Sequence, residues 1–286
     1  MSNFYSPLRY PGGKNCIFKF VSNFFYENEL LGCSYAEPYA GGSGLALRLL
    51  FEGYVESIYI NDLDKFIYSF WKSVLQNNDE ICNWIESVPL NIETWHIYKK
   101  IQLNPENHHY LDLAKATFYL NRTNVSGVIK GGVIGGQAQL GKYKINARFN
   151  KSDLIKRIRK IFQLKNRIHL SNLDGLQFIK KMNNTKQNIF IYLDPPYYQK
   201  GSDLYMNFYK EADHKKLSNA VKKINHKWMV SYDNNDFIVS LYSEFEKILY
   251  QLAQSTSNRT GDEILVFSKG LDYQNAMLKL KEPIKI

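Results

Sequence analysis

Apolar residues along this chain follow two rhythms. In one they recur every three to four positions: Ile17, Phe18, Phe20, Val21, Phe24 and Phe25 within 15–27, and again over 45–51, 66–75, 111–120, 154–162 and 215–224. That spacing predicts helices, because residues three and four apart share one helix face. In the other rhythm they form short runs at 35–38, 57–60, 167–171, 188–194, 227–232, 245–252 and 262–268. These predict seven strands. The run Ile189–Leu193 is continuously apolar, so it predicts a strand buried on both faces. The first five strands are separated by helices or by one long insertion, and the last two by the polar loop 255–261. Alternating βα units predict an α/β fold built on a doubly wound, mainly parallel, seven-stranded Rossmann-like sheet. Residues 72–165 interrupt the pattern with polar breaks, Pro89, Pro105, a basic helix over 154–162 and a glycine-rich run over 127–141. The run reads as an exposed loop or hairpin tip. The insertion 72–165 is the natural second domain, leaving 1–71 and 166–286 as the sheet domain.

Two strand ends carry candidate chemistry. The strand ending at Leu193 runs into Asp194, Pro195, Pro196 and Tyr197. Open α/β sheets place ligands at such carboxyl ends. The two prolines fix successive φ angles and remove two N–H donors, which makes a stiff corner. An acid, restricted backbone carbonyls and an aromatic face suit a planar amine. The first strand enters the turn Ala40-Gly41-Gly42-Ser43-Gly44 and then a helix. N–H groups at that helix start suit an anionic or nucleotide-like group. Leu47 stands where a dinucleotide fingerprint has its third glycine, and no Gly-Lys-Ser/Thr gives a phosphate loop. Asp62 ends the next strand, where an acid can hold a ribose diol or simply make a turn.

Charge changes the picture more than composition does. The net charge is +10, and between Arg122 and Arg167 twelve Lys and Arg face one acid, Asp153. The rest of the chain is close to neutral. A basic segment on a neutral body is the footprint of a polyanion binder. The three cysteines are widely spaced and predict buried free thiols, not a disulfide frame. The six histidines make no metal spacing, so no metal is expected. No apolar run approaches membrane-spanning length, and the N-terminus lacks a signal-peptide core. A cytoplasmic protein without membrane contact is expected.

Read in order, these segments resemble DNA adenine methyltransferases of the Dam type (D12 class, α group). Arg9–Lys14 is similar to that family's N-terminal cofactor motif, Glu37–Ser43 to its glycine loop, and Asn61-Asp62 to its ribose acid. Asn172-Leu173-Asp174 falls at its adenine contact. Asp194-Pro195-Pro196-Tyr197 matches its catalytic tetrapeptide, and 121–144 more loosely resembles its DNA-reading hairpin. The resemblance implies S-adenosylmethionine as cofactor, held by Tyr10, Lys14, Glu37, Pro38, Ala40, Gly41, Gly42, Ser43, Asp62, Asp174 and Asp194, with Lys14 on its carboxylate. It implies double-stranded DNA as partner, base flipping, and direct displacement. Asp194 and Pro195 would hold the adenine amine and Tyr197 would stack on the base. DNA contacts are expected from Arg122, Lys130, Gln137, Gln139, Lys142, Lys144, Arg148 and Arg259. Gln reads adenine and Lys or Arg reads guanine, while some contacts only position phosphates. Arg122 has a second reading as a helix-end cap. Ser126, Val128 and Ile129 match no pattern that assigns a target site.

Two alternatives stand beside this reading. One is a methyltransferase for RNA or a protein amide, although amide enzymes typically carry Asn at the position of Asp194. The other is a non-catalytic DNA-binding module on the same fold, against which the intact Asp194–Tyr197 corner argues. A monomer is expected, with a separately acting restriction endonuclease as a possible counterpart.

Overall fold

A computed structural model describes residues 5–9, 13–198, 209–253 and 260–286. Its strands are β1 (Ser34–Glu37), β2 (Ser57–Asn61), β3 (Ile168–Ser171), β4 (Ile189–Leu193), β5 (Lys227–Asp233), β6 (Lys247–Ala253), β7 (Thr260–Phe267) and β8 (Lys281–Lys285). They form one sheet in the order β3-β2-β1-β4-β5-β7-β6-β8. The first five are parallel and the last three antiparallel. All seven predicted strands are present. The addition is β8, whose sequence KEPIK offers one large apolar residue amid charge and proline. That is the composition of an edge strand, and it carries little apolar signal.

Strand order reverses between β1 and β4, which pair in parallel through Ala36 and Ile191. The chain departs to opposite sides of that pair, so a crevice opens at their carboxyl ends. Every residue of β4 is buried. Phe190 and Tyr192 face one core with Phe24 and Leu265, while Ile189, Ile191 and Leu193 face another with Val230 and Val266. The period-2 alternation of a strand thus serves two helical layers at once.

The helices start where the sequence supplies caps. Asp64 accepts from Phe66 N to open the helix Lys65–Gln76, and Asn150 accepts from Asp153 N at Lys151–Gln163. The segment predicted as one helix over 15–27 begins instead as a 3-10 turn, Lys14–Ile17, before α1 (Phe18–Glu27). Cys33 and Cys82 are buried as expected, whereas Cys16, on that first turn, is exposed.

Residue 72 falls inside the helix Lys65–Gln76. This helix packs against Tyr110–Thr123, with Phe70 stacked on Phe118 at 5.5 Å between centroids. Trp71 Nε1 donates to Gly41 O at 2.9 Å. One hydrophobic core therefore joins Phe24, Leu47 and Ile58 of the sheet layer to Ile81, Phe118 and Ile158 of the insertion. The glycine-rich run also differs from expectation. The hairpin is reduced to one antiparallel bridge, Asn124 to Val133, followed by turns. Gly127, Gly135 and Gly136 have positive φ, which a ladder of extended residues cannot absorb. The Val133-Ile134 pair is not at an exposed tip: Val133 is buried and Ile134 half-buried.

Candidate active site

The corner after β4 is fixed by a buried polar cluster. Asp194 Oδ1 accepts from Ser231 Oγ at 2.7 Å and lies 2.9 Å from Lys14 Nζ. Tyr192 donates to Ser231 Oγ at 2.8 Å. The hydrogen bond and the ion-pair contact both fall on Oδ1, and Asp194 lines the cavity described below. Burial, and to a lesser degree the Glu263 charge, push the Asp194 carboxyl up, and Lys14 and Ser231 act against that rise. Lys14 also donates to Tyr197 OH at 2.6 Å. Burial disfavours its charge, but Asp194, Tyr197 and Glu263 outweigh this and hold its pKa well above the ordinary value.

Across the crevice, the glycine turn is clamped by Asp62. Oδ2 accepts from Gly41 N at 2.8 Å and Oδ1 from Asp64 N at 2.9 Å. Gly41 and Ser43 have φ of 46° and 45°, a conformation glycine takes at no steric cost and serine at some. Burial, then the nearby Asp64 charge, pushes Asp62 up to about 7. Glu37 is buried at the end of β1 and accepts from Tyr35 OH at 2.9 Å. Burial pushes its carboxyl up to about 8.

Between these walls lies a cavity of about 570 Å³, within the size range of small-molecule sites. Lys14, Glu37, Pro38, the turn Ala40–Gly44, Asp62, Asp194 and Pro196 line it. Four arginines, Arg9, Arg122, Arg148 and Arg157, line it as well. Arg157 is paired with Asp153 at 2.8 Å. Arg122 Nε is buried with no hydrogen-bond partner among the described residues. Burial, and then Arg9, Arg157 and Arg148, bring the Arg122 guanidinium down to about 9, with Asp153 opposing. Residues 5–9 tie this cluster together. Arg122 donates to Pro7 O at 3.5 Å and Arg157 to Ser6 O at 3.1 Å, while Asn121 bonds both backbone groups of Arg9.

The structure thus brings together most of the residues expected at a cofactor site. Pro195 and Tyr197 are buried and do not line the cavity. Asp174 caps Gly175–Asn183 through Leu176 N, and Gly175 lines the cavity beside it. Of the DNA-contact candidates, Arg122 and Arg148 reach the cavity. Lys130, Gln137, Lys142 and Lys144 are exposed on the glycine-rich segment. Gln139 is occupied: Nε2 donates to Ile134 O and Gly136 O, and Oε1 accepts from Ile145 N, so its amide braces the loop. Arg122 does not cap its own helix but holds residues 5–9. Tyr10 and Arg259 lie outside the described residues. Sequence reasoning missed Ser231 and Glu263. For Glu263 a signal existed, since it is an acid in phase with Leu265 and Phe267 on the inward face of a strand.

The model of D12 class N6 adenine-specific DNA methyltransferases matches residues 10–257. The type II methyltransferase M.CviBI of Paramecium bursaria Chlorella virus NC1A is 27% identical over 267 residues, 90% of this chain and 95% of that one. A solved structure from Listeria monocytogenes, described as a class I S-adenosylmethionine-dependent methyltransferase, aligns at 11% identity with a TM-score of 0.38. That alignment covers 90% of this chain and 60% of the other. The family match spans most of the chain, from ahead of the glycine turn to beyond β6, and so takes in both walls of the crevice. This protein belongs to the D12 class N6 adenine-specific DNA methyltransferases, and it transfers a methyl group from S-adenosylmethionine to adenine in DNA.

Proposed function

We propose that the crevice between β1 and β4 is where the methyl donor and a flipped adenine meet. A second element of the proposal is that 72–165 selects the target sequence in double-stranded DNA. The observation that carries this reading is Asp194 at the cavity wall, with Oδ1 held by Lys14 and Ser231 so that the carboxylate is fixed at the end of β4. The exocyclic amine of adenine is a poor nucleophile because its lone pair is conjugated with the ring. A hydrogen bond from that amine to the Asp194 carboxylate, and a second to the Pro195 carbonyl, favour a pyramidal nitrogen. The freed lone pair would take the methyl group from the donor, which would leave as a neutral thioether, and the surplus amine proton would pass by way of the Asp194 carboxylate to solvent. Alignment supplies most of the acceleration. The Asp194 charge stabilises the nitrogen as it becomes cationic.

The residues present fit the donor. Bound S-adenosylmethionine supplies an electrophilic methyl group. Asp62 has acceptor capacity for a ribose diol beyond its two backbone bonds. The turn Ala40–Ser43 admits a close approach to the backbone, and Glu37 is an acid with only Tyr35 as a side-chain partner among the described residues. Lys14 is committed to Asp194, Tyr197 and Glu263 in this structure, so its role is to orient Asp194. Tyr197 reaches the base only by exposing more of its ring than it does here, where it is 9% exposed.

On the DNA side, Gln137, Lys142, Lys144 and Arg148 are exposed and able to reach a groove or a phosphate. The arginine cluster faces the polyanion at the cavity itself, where a flipped nucleotide must pass. By its relative's name we extend the type II class to this chain as a proposal. It acts as a monomer at a fixed sequence, with a separate endonuclease as counterpart. The test is expression in a host lacking adenine methylation, followed by modification-sensitive sequencing. N6-methyladenine at one recurrent sequence is expected, and unmodified DNA would refute the reading.

A further inference from the structure

Behind the Asp194 corner, two acids share one cation among the described residues. Lys14 Nζ lies 2.9 Å from Asp194 Oδ1 and 3.6 Å from Glu263 Oε2. Glu263 is buried on β7, and its position is prepared from two sides. Tyr250 donates to Oε2 at 2.7 Å, and Tyr197 donates to Oε1. Burying a carboxylate is costly even when it is paired. Methyl transfer needs one acid at the amine, and Asp194 already supplies it.

The second acid makes sense as a matter of charge. An ammonium paired with Asp194 alone would cancel the carboxylate, leaving a neutral corner. Shared between two carboxylates, Lys14 leaves the cluster with a formal charge of −1. The methyl donor is a sulfonium cation and the spent cofactor is a neutral thioether. An amine held on Asp194 must be within reach of that sulfur, so the residual charge acts on the group that changes during the reaction.

We propose that Glu263 is a charge-setting and positioning residue. By sharing Lys14 it keeps the Asp194 corner negative, which favours the sulfonium over the thioether and so favours release of the spent cofactor. The proposal rests on the reading of this cavity as the methyl-donor site.

The test is the ratio of two affinities. Sinefungin carries a protonated amine in place of the sulfonium methyl, and S-adenosylhomocysteine is the neutral thioether. Dissociation constants for both are measured by calorimetry on wild type, Glu263→Gln and Glu263→Asp. Glutamine keeps the shape and a hydrogen-bonding oxygen but removes the charge. The ratio is expected to move about 3- to 10-fold toward the thioether in Glu263→Gln and to return in Glu263→Asp. A merely structural role would weaken both ligands alike and leave the ratio unmoved, and that result in a folded variant overturns the proposal. Should Glu263→Gln not fold, wild type still decides: binding the thioether at least as tightly as the cation overturns it, and a clear preference for the cation supports it. Wild type that binds neither ligand sinks the site reading and this proposal with it. Wild type that binds both, with a ratio indifferent to Glu263→Gln, sinks this proposal alone.

Discussion

The chain has two glycine-rich turns, and they are held in opposite ways. The turn 40–44 is tied to the rest of the molecule at each step. Asp62 takes the Gly41 N–H, Trp71 takes the Gly41 carbonyl, and Asn61 O takes the Ala40 N–H. The distal stretch 134–145 is tied mostly to itself, through Gln139 and a series of turns, and it exposes Gln137, Leu140, Lys142 and Lys144, whereas 127–133 is bonded back to Asn121, Asn124 and Val125. A turn bonded to the core keeps one shape through every reaction cycle, which suits a constant ligand. A turn bonded to itself can change its outward side chains without disturbing the sheet, which suits a variable one.

The comparison breaks first at the corner. Asp194→Ala is expected to lower the methylation rate by about 10³-fold while DNA affinity, measured by fluorescence anisotropy, stays close to wild type. A large loss of affinity instead would place the DNA-holding charge in the wrong region. Next in size, Lys142→Ala and Lys144→Ala together should weaken DNA binding about 10-fold and reduce the slope of log affinity against log salt by about 1 to 2. An unchanged slope would remove the glycine-rich segment from the phosphate surface. Gly127→Ala comes third. An added Cβ would lie 2.4 Å from Arg9 O at a φ of 78°, so about 1–3 kcal/mol of stability should be lost in a urea titration. A neutral effect would mean that residues 5–9 yield easily.

The smallest effect is a pH dependence on the other side of the crevice. Burial leaves Asp62 with a pKa near 7 in the free protein. A diol donating to the carboxylate favours the ionised form, so cofactor binding expels a proton. Affinity should therefore rise about 3- to 10-fold from pH 6 to 8 and level off above. Asp62→Asn should flatten this part of the profile. A rise of the same size in that variant would assign the titration to Glu37 or Asp194.

The sheet was readable because its strands are short apolar runs with clear ends, and β4 leads into an acid and two prolines that announce a ligand corner. The glycine turn and Asp62 were readable by the same token, since strand ends carry few apolar residues to hide among. Glu263 and Ser231 were not singled out, because their meaning depends on which strands lie beside β4. Only the antiparallel return of β7 next to β5 brings an acid from near the end of the chain to Lys14 near its start. Arg157 became a site residue for a similar reason. Folding gathers four dispersed arginines around one opening, and although Arg9, Arg122 and Arg148 lie in segments with a readable role, their spacing in sequence does not show that they converge. Gln139 failed in the other direction: a polar side chain in an exposed loop looked available, yet its amide closes that loop.

The continuous core also limits how the protein can be taken apart. Phe70 and Trp71 belong to a helix that leaves the sheet layer and packs on Phe118 of the insertion. Cutting at residue 72 would halve that helix and expose aromatic surface on both pieces. Heat should therefore melt the two parts in a single calorimetric transition. Exchanging 72–165 wholesale with a relative would require re-fitting that buried interface. On the proposed reading of 72–165 as the target-selecting part, substitutions in the self-braced loop would change target preference with less disruption than exchange of a cassette.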